Sequence, residues 1–219
     1  MLPTYRENAE GALAAAEAAA TAGLDGVFAF DHLWPMGHPE RPALAPFPVL
    51  AAVAVRWPSL CVGPLVARVG LFGSDHLIEY FATLDSLAPG RVIAALGTGD
   101  HLSRDEQLAY GLPYKSATVR RAMLADAIEA LAPKMTVWCG AGSPATNELA
   151  RNLGVTLNLW DVSPVVVAEF ASSGPVSWAG PLGDDPAAVL TGLSRAGAAW
   201  AVASAVSSIE RLAEWRSSQ

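Results

Sequence analysis

The feature that most constrains the fold of this chain is a regular alternation of short β-rich runs with longer, alanine-rich helical runs. Residues 26–31 form a short apolar run of the first kind, and residues 46–56, opened by a proline, form one of the second kind. A helix between two strands returns the chain to the same end of the sheet, so that the two strands run parallel. The alternation therefore predicts a parallel α/β fold.

The pattern supplies seven strand–helix pairs, preceded by a helix over residues 8–22. The predicted strands span residues 26–31, 60–67, 91–96, 135–139, 155–159, 176–179 and 199–203. The predicted helices span residues 46–56, 76–87, 103–110, 117–132, 144–153, 164–171, 185–195 and 207–215. A first strand reduced to the stub at residues 1–4 would complete the eight pairs of a compact (β/α)8 barrel, the TIM barrel. An open, doubly wound sheet shares the same alternation and is the alternative.

Composition and charge narrow the class of protein. With 52% hydrophobic residues and no linker or charge block, the chain is expected to fold as a single domain over residues 1–219. The net charge of −7 and the lack of a basic stripe argue against a nucleic-acid partner. No uncharged apolar run reaches the ~18 residues of a membrane span, and no signal-peptide pattern opens the chain. We therefore expect no membrane partner and a cytoplasmic location.

The cysteine and histidine residues predict neither a disulfide framework nor a metal site. Cys61 and Cys139 lie far apart in apolar, strand-like runs, where we expect buried free thiols. The four histidines lack ligand spacing, and neither a Gly-x-Ser-x-Gly elbow nor a phosphate-binding P-loop occurs. Redox chemistry by this chain would therefore need an organic cofactor.

Chemistry in a parallel α/β fold gathers where the strands end, at the C-terminal edge of the sheet. If the stub at residues 1–4 is counted as the first strand, Asp31 and His32 lie at the end of the second, residues 26–31. A carboxylate beside an imidazole is a candidate acid–base pair, because histidine titrates near neutral pH. The alternative is that Asp31 caps the next segment and that His32 is an ordinary polar surface group.

Three glycine-bearing segments lie at the ends of the next three predicted strands, residues 60–67, 91–96 and 135–139. They contain Gly63, Leu65 and Val66; Gly97, Thr98, Gly99 and Asp100; and Gly140, Ala141, Gly142 and Ser143. The second segment would let the backbone approach a planar ring, with Asp100 as a further acid or as a helix cap. The third, at the start of a helix, suits an anion or a ring edge, or else forms a tight turn with Ser143 as N-cap.

In their order along the chain, these segments resemble the bacterial luciferase-like monooxygenase family. Residues 19–33, which contain Gly-Val-Phe-Ala-Phe-Asp-His-Leu, are similar to the opening helix and strand of that family. Residues 81–99, which end in Ala-Pro-Gly-Arg-Val-Ile-Ala-Ala-Leu-Gly-Thr-Gly, are the most specific match. Residues 137–143 and 148–151 are similar to a later strand and helix on the cofactor side. The resemblance covers most of the chain and is strongest over residues 13–100.

The resemblance implies a TIM barrel that binds the deazaflavin coenzyme F420, or FMN, at the C-terminal ends of the strands and acts on a small organic substrate. In the F420 branch it implies that Asp31 and His32 face the reactive ring and that His32 transfers a proton. It implies a non-proline cis peptide near Leu65–Val66, and cofactor contacts from the three glycine-bearing segments. It also implies a homodimer, which the family commonly forms.

F420-dependent hydride transfer is the favoured prediction, because an acid–base histidine suits a cofactor that moves hydride. An FMN-dependent monooxygenase and a non-catalytic flavin-binding barrel are the alternatives. Trp34 and Trp160 would wall the pocket, and Arg68 or Arg104 would meet a cofactor phosphate. The chain departs from the family in its nearly absent first strand and in a missing segment before residue 135.

Overall fold

The computed structural model describes residues 1–218, apart from the side chain of Leu102. Its strands are β1 Gly26–Ala29, β2 Cys61–Pro64, β3 Ala67–Arg68, β4 Ile93–Gly97, β5 Thr136–Gly140, β6 Thr156–Trp160, β7 Val176–Gly180 and β8 Ala198–Ala203. Its α-helices are α1 Glu10–Thr21, α2 Pro46–Arg56, α3 Val69–Phe72, α4 Ser74–Leu87, α5 Arg104–Ala109, α6 Ala117–Leu131, α7 Pro144–Asn152, α8 Pro164–Ala171, α9 Pro186–Arg195 and α10 Ile209–Ser217.

The strands form a parallel ring in chain order. β3 to β8 pair consecutively in one sheet, and β1 pairs with β2 in another. β2 and β3 share one barrel position, since Val62 of β2 bridges to Val92 just ahead of β4 while Ala67 of β3 pairs with Leu96 of β4. The two sheets are therefore continuous.

Met1 and Leu2 close the ring between β8 and β1. The amine of Met1 donates to the carbonyl of Ala203 at 2.6 Å, and the amide of Leu2 donates to the carbonyl of Phe28 at 2.7 Å. The stub at residues 1–4 thus occupies the first barrel position, as predicted. The fold is a (β/α)8 barrel with a truncated first strand. The open-sheet alternative is wrong, because β8 and β1 are joined through the stub.

Prolines and capping side chains explain where several helices begin. A proline lies in the first turn of α2, α7, α8 and α9, where its missing N–H leaves no intrahelical bond unmade. Side-chain oxygens of Ser116, Ser143 and Asp185 accept hydrogen bonds from the first turns of α6, α7 and α9. These local signals are the reason that helix starts could be predicted closely.

Two apolar layers pack against the ring. An outer layer between helices and strands includes Leu50 and Phe81, and an inner layer includes Phe28, Trp138 and Trp200. The rings of Phe28 and Trp138 are stacked with centroids 5.2 Å apart, and Trp200 meets Trp138 edge-on at 5.6 Å. The barrel interior is therefore a packed core and not a pore. Within residues 1–218, no helix has both the length and the apolar character that crossing a bilayer requires.

Four further features of the structure can be compared with the sequence predictions. The peptide bond between Leu65 and Val66 is cis, as the resemblance implied, and it interrupts the predicted strand 60–67. Helix α3 was not predicted, because one turn is too short to show a helical period. Cys139 is a buried free thiol as expected, whereas Cys61 is only partly buried. Residues 132–135 alone connect α6 to β5, at the place of the missing segment.

Candidate functional site

Four charged or polar side chains meet at the C-terminal end of the barrel. Asp31 and His32 lie just after β1, Arg68 ends β3, and Glu106 lies in α5. Asp31, Arg68 and Glu106 are 3%, 4% and 2% exposed, whereas His32 is 20% exposed. Three buried groups therefore support one reachable imidazole.

Asp31 and Arg68 form a buried, multiply bonded ion pair. The backbone N–H of Arg68 donates to Oδ2 of Asp31 at 2.7 Å, and its Nε donates to Oδ1 at 2.9 Å. Nη2 of Arg68 donates to the backbone carbonyl of Asp31 at 3.0 Å. The pair thus ties the end of β3 to the segment after β1, which places His32.

Glu106 links this ion pair to the imidazole. One carboxylate oxygen accepts from Nη1 of Arg68, and Nδ1 of His32 lies 3.1 Å and 3.2 Å from the two oxygens. Nε, Nη1 and Nη2 of Arg68 each donate to Asp31 or Glu106, and the side chain is only 4% exposed. Contact between Arg68 and a cofactor phosphate stays a prediction. Arg104, the other candidate, is exposed in α5.

Burial and charge act in opposite directions on these groups. Burial raises the pKa of the Asp31 carboxyl, and the charge of Arg68 only partly opposes this. Burial also pushes the pKa of Glu106 upward, but the His32 hydrogen bond and the Arg68 charge outweigh it and lower that pKa below its ordinary 4.5. Burial disfavours the charge of Arg68, yet Asp31 and Glu106 together raise its pKa. Glu106 is therefore a carboxylate facing a permanent cation.

The contact with Glu106 sets the tautomer and orientation of His32. A carboxylate accepts a hydrogen bond, so the neutral imidazole carries its proton on Nδ1 and presents Nε2 as an acceptor. Within residues 1–218, Nε2 makes no hydrogen bond. A buried carboxylate behind a partly exposed histidine is the usual arrangement of a general base and its orienting group.

Val66 forms an apolar platform beside this cluster. A Cβ at Gly97 would lie 2.5 Å from Cγ2 of Val66, and a Cβ at Gly140 would lie 3.3 Å from both Val66 methyl carbons. The Val66 side chain thus leaves no room for a side chain at Gly97 and little room at Gly140. Gly63 and Leu65, the other predicted cofactor contacts of this segment, are buried beneath it.

The segment after β4 folds into a local turn and cap. The backbone N–H of Ser103 donates to Oδ1 of Asp100 at 3.2 Å, and the N–H of Asp100 donates to Oγ of Ser103 at 3.1 Å. Gly99 has φ of 68°, which suits glycine, and the carbonyl of Thr98 accepts from Nε of Arg120 at 3.0 Å. Asp100 thus caps the helical segment that carries Glu106, and its catalytic role stays a prediction.

Two backbone amides of the segment after β5 make hydrogen bonds within the protein. The N–H of Ala141 donates to the carbonyl of Asn158 at 2.8 Å, and the N–H of Gly142 donates to Oδ1 of Asn147 at 2.9 Å. Ser143 is the N-cap of α7. Two of the amides expected to hold an anion are therefore already satisfied, and cofactor contact by this segment stays a prediction.

Aromatic side chains surround the mouth of the barrel. Tyr5 is stacked on Phe30 at 5.7 Å, and Phe30 lies 5.9 Å from Trp160. Trp34 lies 6.1 Å from Tyr110, so both tryptophans predicted to wall the pocket belong to aromatic pairs. Their contact with a ligand stays a prediction. Burial, and then the charges of Glu106 and Asp31, raise the pKa of the Tyr5 phenol.

Sequence reasoning missed Glu106, and it named Arg68 only as a candidate phosphate partner and not as the ion-pair partner of Asp31. Glu106 lies 74 positions from His32, and Arg68 lies 37 positions from Asp31. One signal could have indicated Glu106. It is an acidic residue in the short helix that follows the predicted site segment Gly97 to Asp100. Asn158 of β6 and Ser177 of β7 are also buried, and Nδ2 of Asn158 donates a hydrogen bond of 3.0 Å to Oγ of Ser177.

The structure defines a (β/α)8 barrel with a buried charged cluster at the C-terminal ends of its strands, and comparison with known proteins gives the family. The sequence pattern of the luciferase-like monooxygenase family matches residues 1–136. This chain belongs to the luciferase-like monooxygenase family. The resemblance inferred from residues 19–33 and 81–99 is therefore confirmed.

Curated relatives are F420-dependent dehydrogenases. The chain is 30% identical over 163 residues to the F420-dependent glucose-6-phosphate dehydrogenase of Nakamurella multipartita, covering 74% of this chain and 46% of that protein. It is 30% identical over 167 residues to the F420-dependent hydroxymycolic acid dehydrogenase of Mycobacterium tuberculosis, covering 75% of this chain and 44% of that protein. The chain spans less than half the length of these relatives.

Solved structures share the barrel. An F420-dependent secondary alcohol dehydrogenase in complex with an F420–acetone adduct superposes with a TM-score of 0.75 at 15% identity, covering 93% of this chain and 92% of the other. The coenzyme F420-dependent tetrahydromethanopterin reductase from Methanopyrus kandleri superposes with a TM-score of 0.72 at 14% identity, covering 98% and 96%. At these identities the likeness establishes the fold.

Proposed function

We propose that this chain is an F420-dependent oxidoreductase that transfers hydride to or from a small organic substrate bearing a hydroxyl or carbonyl group. The observation that carries this proposal is the His32–Glu106 contact of 3.1 Å at the C-terminal end of the barrel, with Nε2 of His32 left available. Hydride transfer to or from such a substrate requires a partner for one proton. His32 is that partner.

The residues at the barrel mouth suit a planar, largely apolar ring. Val66 offers an apolar surface to the ring. Because Gly97 and Gly140 lack side chains, the Val66 side chain can pack closely against the strands. The hydroxyl of Thr4 is buried without a hydrogen-bond partner within residues 1–218, next to Tyr5 at the same end of the barrel. A buried donor without a partner is costly unless a ligand satisfies it. Val66, Gly97, Thr98 and Gly140 are the residues that would hold the ring.

The chain's own residues supply the acid–base step. When bound, F420 would supply the acceptor or the donor of the hydride. Nε2 of His32 takes the hydroxyl proton as an alcohol carbon becomes a carbonyl, and returns it in the reverse direction. Glu106 stabilises the imidazolium formed in between, and Arg68 holds Glu106 ionised and in place.

The relatives support F420 over FMN. Both curated relatives described above are named as F420-dependent dehydrogenases. The neighbouring solved structures include F420-dependent enzymes and an FMN-bound monooxygenase, so the fold alone does not choose between the cofactors. The acid–base histidine favours hydride chemistry.

We also infer that the protein folds as a single domain over residues 1–219, lies in the cytoplasm and forms a homodimer. Sedimentation equilibrium tests the homodimer, since a monomeric mass over the micromolar range would exclude it. The substrate is a small molecule whose identity a panel of secondary alcohols and sugar phosphates would define.

The test is a titration of the purified chain with F420 and, separately, with FMN, followed by tryptophan fluorescence. We expect tighter binding of F420, weakened in Gly99→Trp and retained in His32→Ala, because His32 moves the proton and does not hold the ring. Turnover of the panel, followed by deazaflavin absorbance, should be lost in His32→Ala. Tighter binding of FMN would favour a monooxygenase, and binding of neither cofactor would favour a non-catalytic barrel.

His38 provides a matched control for His32. Its Nδ1 lies 3.2 Å from Oε1 of Glu40, but the two side chains are 56% and 66% exposed and lie on the surface. His38→Ala removes a histidine from the same kind of pair without touching the buried cluster. Equal loss of turnover in His38→Ala and His32→Ala would contradict the assignment of His32.

A further inference from the structure

Three aromatic side chains form a bridge across the mouth of the barrel. With the stub counted as the first position of the ring, β1 is the second and β6 is the sixth, so the ends of these two strands lie on opposite sides of the mouth. Phe30 follows β1 and Trp160 ends β6, and their ring centroids are nevertheless only 5.9 Å apart. Tyr5, which follows the stub, is stacked on Phe30 at 5.7 Å. We call these three residues the aromatic bridge.

One end of the aromatic bridge lies beside the acid–base cluster. The charges of Glu106 and Asp31 act on the phenol of Tyr5, so this ring is within electrostatic reach of the His32–Glu106 pair. Phe30 is separated from His32 along the chain by Asp31 alone. A molecule whose oxygen lies at Nε2 of His32 would therefore have the aromatic bridge as a neighbouring surface.

The apolar platform lies on one side of the aromatic bridge. Val66 precedes β3, Gly97 ends β4 and Gly140 ends β5, so the platform takes the third, fourth and fifth positions of the ring, between β1 and β6. A cofactor ring held on this platform would lie alongside the aromatic bridge. The bridge is thus placed between the cofactor region and the loops that follow β7 and β8.

Trp160 is the most accessible ring of the aromatic bridge, and its backbone is held in place. The side chain is 47% exposed, whereas the other two rings are partly buried. The N–H of Asp161 donates to the carbonyl of Ala179 at 2.8 Å, and Nε1 of Trp178 donates to the carbonyl of Val162 at 2.9 Å. An exposed indole on a fixed backbone is a preformed surface on which a flat apolar group can stack.

The loops around Trp160 carry negative charge. The loops that follow β6, β7 and β8 are residues 161–163, 181–185 and 204–208. They contain no lysine, arginine or histidine, and their charged residues are Asp161, Asp184 and Asp185. Arg6, in the loop after the stub, is exposed, precedes Glu7 and donates from Nη1 to a backbone carbonyl. An anionic group bound at Trp160 would therefore meet like charge, which opposes its binding.

We propose that the aromatic bridge is the substrate subsite, and that it takes an uncharged aromatic alcohol or the corresponding ketone, with the aromatic group stacked on Trp160 and the oxygen at Nε2 of His32. This inference rests on the proposed function and names the substrate class for that site. In the oxidation, the hydride leaves the alcohol carbon for the cofactor and the hydroxyl proton goes to Nε2 of His32, so the ketone is the product. Substrates that carry a phosphate or a carboxylate are rejected by the acidic loops.

The test compares two ligands of similar shape and different charge, para-methylacetophenone and para-acetylbenzoate. Ligand-observed NMR gives their dissociation constants on the full chain, without cofactor and with saturating F420. We expect the uncharged ketone to bind about tenfold more tightly. Trp160→Ala should weaken its binding by roughly threefold to tenfold, and Trp160→Phe should restore most of the affinity. Tyr80→Ala is the control, because Tyr80 is 45% exposed but lies in α4, on the outside of the barrel.

Two further measurements separate charge from stacking. The double variant Asp161→Asn, Asp184→Asn should narrow the difference between the two ligands, because it removes the charges that repel the carboxylate. With F420 and the alcohol of para-methylacetophenone, Trp160→Ala should raise KM and leave kcat nearly unchanged, because stacking binds the ground state and the transition state alike.

Equal affinity for the two ligands, or tighter binding of para-acetylbenzoate, would overturn the inference. So would an unchanged dissociation constant of the ketone in Trp160→Ala, or an equal loss in Tyr80→Ala. The binding measurement does not need the cofactor, so the two proposals can fail separately. Failure of F420 to bind would contradict the proposed function, whereas F420 binding without a preference for the uncharged ketone would contradict the subsite alone.

Discussion

Glu106 holds Nδ1 of His32 at 3.1 Å, although the two residues lie 74 positions apart in the chain. The same carboxylate accepts from Arg68, which in turn binds Asp31 through its backbone and its guanidinium. Asp31, adjacent to His32 in sequence, therefore acts through Arg68 and Glu106 and not by touching the imidazole. The Asp-His dipeptide predicts an acid–base pair of sequence neighbours, whereas the carboxylate that contacts His32 in the structure belongs to Glu106. The acid–base role of His32 is a proposal.

Glu106→Gln should lower kcat by about a hundredfold, with a smaller change in KM, because it weakens acid–base catalysis by His32. The amide keeps the shape of the side chain but no longer stabilises a protonated imidazole. The pH dependence of kcat should shift as well, which a purely structural role would not produce. Glu40→Gln, in the exposed His38 pair, is the control, and an equal fall in kcat there would contradict the role of Glu106.

Arg68→Met should destabilise the fold by about 3–5 kcal/mol, because it leaves the Asp31 and Glu106 carboxylates buried without their cation. Urea unfolding at neutral pH measures the change. Arg56→Met serves as the control, since Arg56 is exposed and its guanidinium only lies over the Trp57 ring at 5.7 Å. Similar losses in the two variants would show that the buried pair has no special weight.

Gly63→Ala should destabilise the chain by at least about 2 kcal/mol, because its Cβ would lie 2.2 Å from the carbonyl oxygen of Ile93. Backbone, and not a movable side chain, occupies that space. Gly11→Ala is the opposite case. Its Cβ meets only Pro3 at 3.8 Å, and alanine within α1 should stabilise by roughly 0.5–1 kcal/mol. Thermal unfolding of both variants would reveal a wrong sign for either.

The two thiols should differ in reactivity. Burial raises the pKa of Cys139 to about 12, and the residue is fully inaccessible. Burial also raises the pKa of Cys61, but that residue is partly exposed. Iodoacetamide at mildly alkaline pH, followed by mass spectrometry, should modify Cys61 slowly and Cys139 only after denaturation. Modification of Cys139 before Cys61 in the native chain would not fit this structure.

The buried amine of Met1 predicts a pH dependence of stability. Burial lowers its pKa from 8.0 to about 6, so between these values the unfolded chain binds more protons than the folded chain. Stability should therefore fall as the pH is lowered from 8 to 6 and then level off for this group, by on the order of 2 kcal/mol in total. Acetylation of the Met1 amine removes this titration and so isolates the effect from the histidines. An identical pH dependence of the acetylated and unacetylated chains would exclude it.

Strand ends and helix starts could be predicted because their signals are local. Proline in the first turn, a serine or aspartate cap, and a short apolar run each act within a few residues, so they are visible in the chain itself. The cis peptide at Leu65–Val66 and the positions of His32, Gly97 and Gly140 at the barrel mouth followed from the resemblance and from the rule that sites lie at strand ends.

The sequence by itself determined the fold class, the family and the end of the barrel where chemistry belongs, because periodicity and strand-end motifs are properties of neighbouring residues. Only the tertiary structure decided that Glu106 is the partner of His32, that Arg68 is paired with Asp31, and that Met1 and Leu2 close the ring. Those facts depend on which distant segments the closed ring brings together. A buried charge is stabilised by the opposite charge nearest to it in space, and the spacing of residues along the chain does not indicate which residue that is.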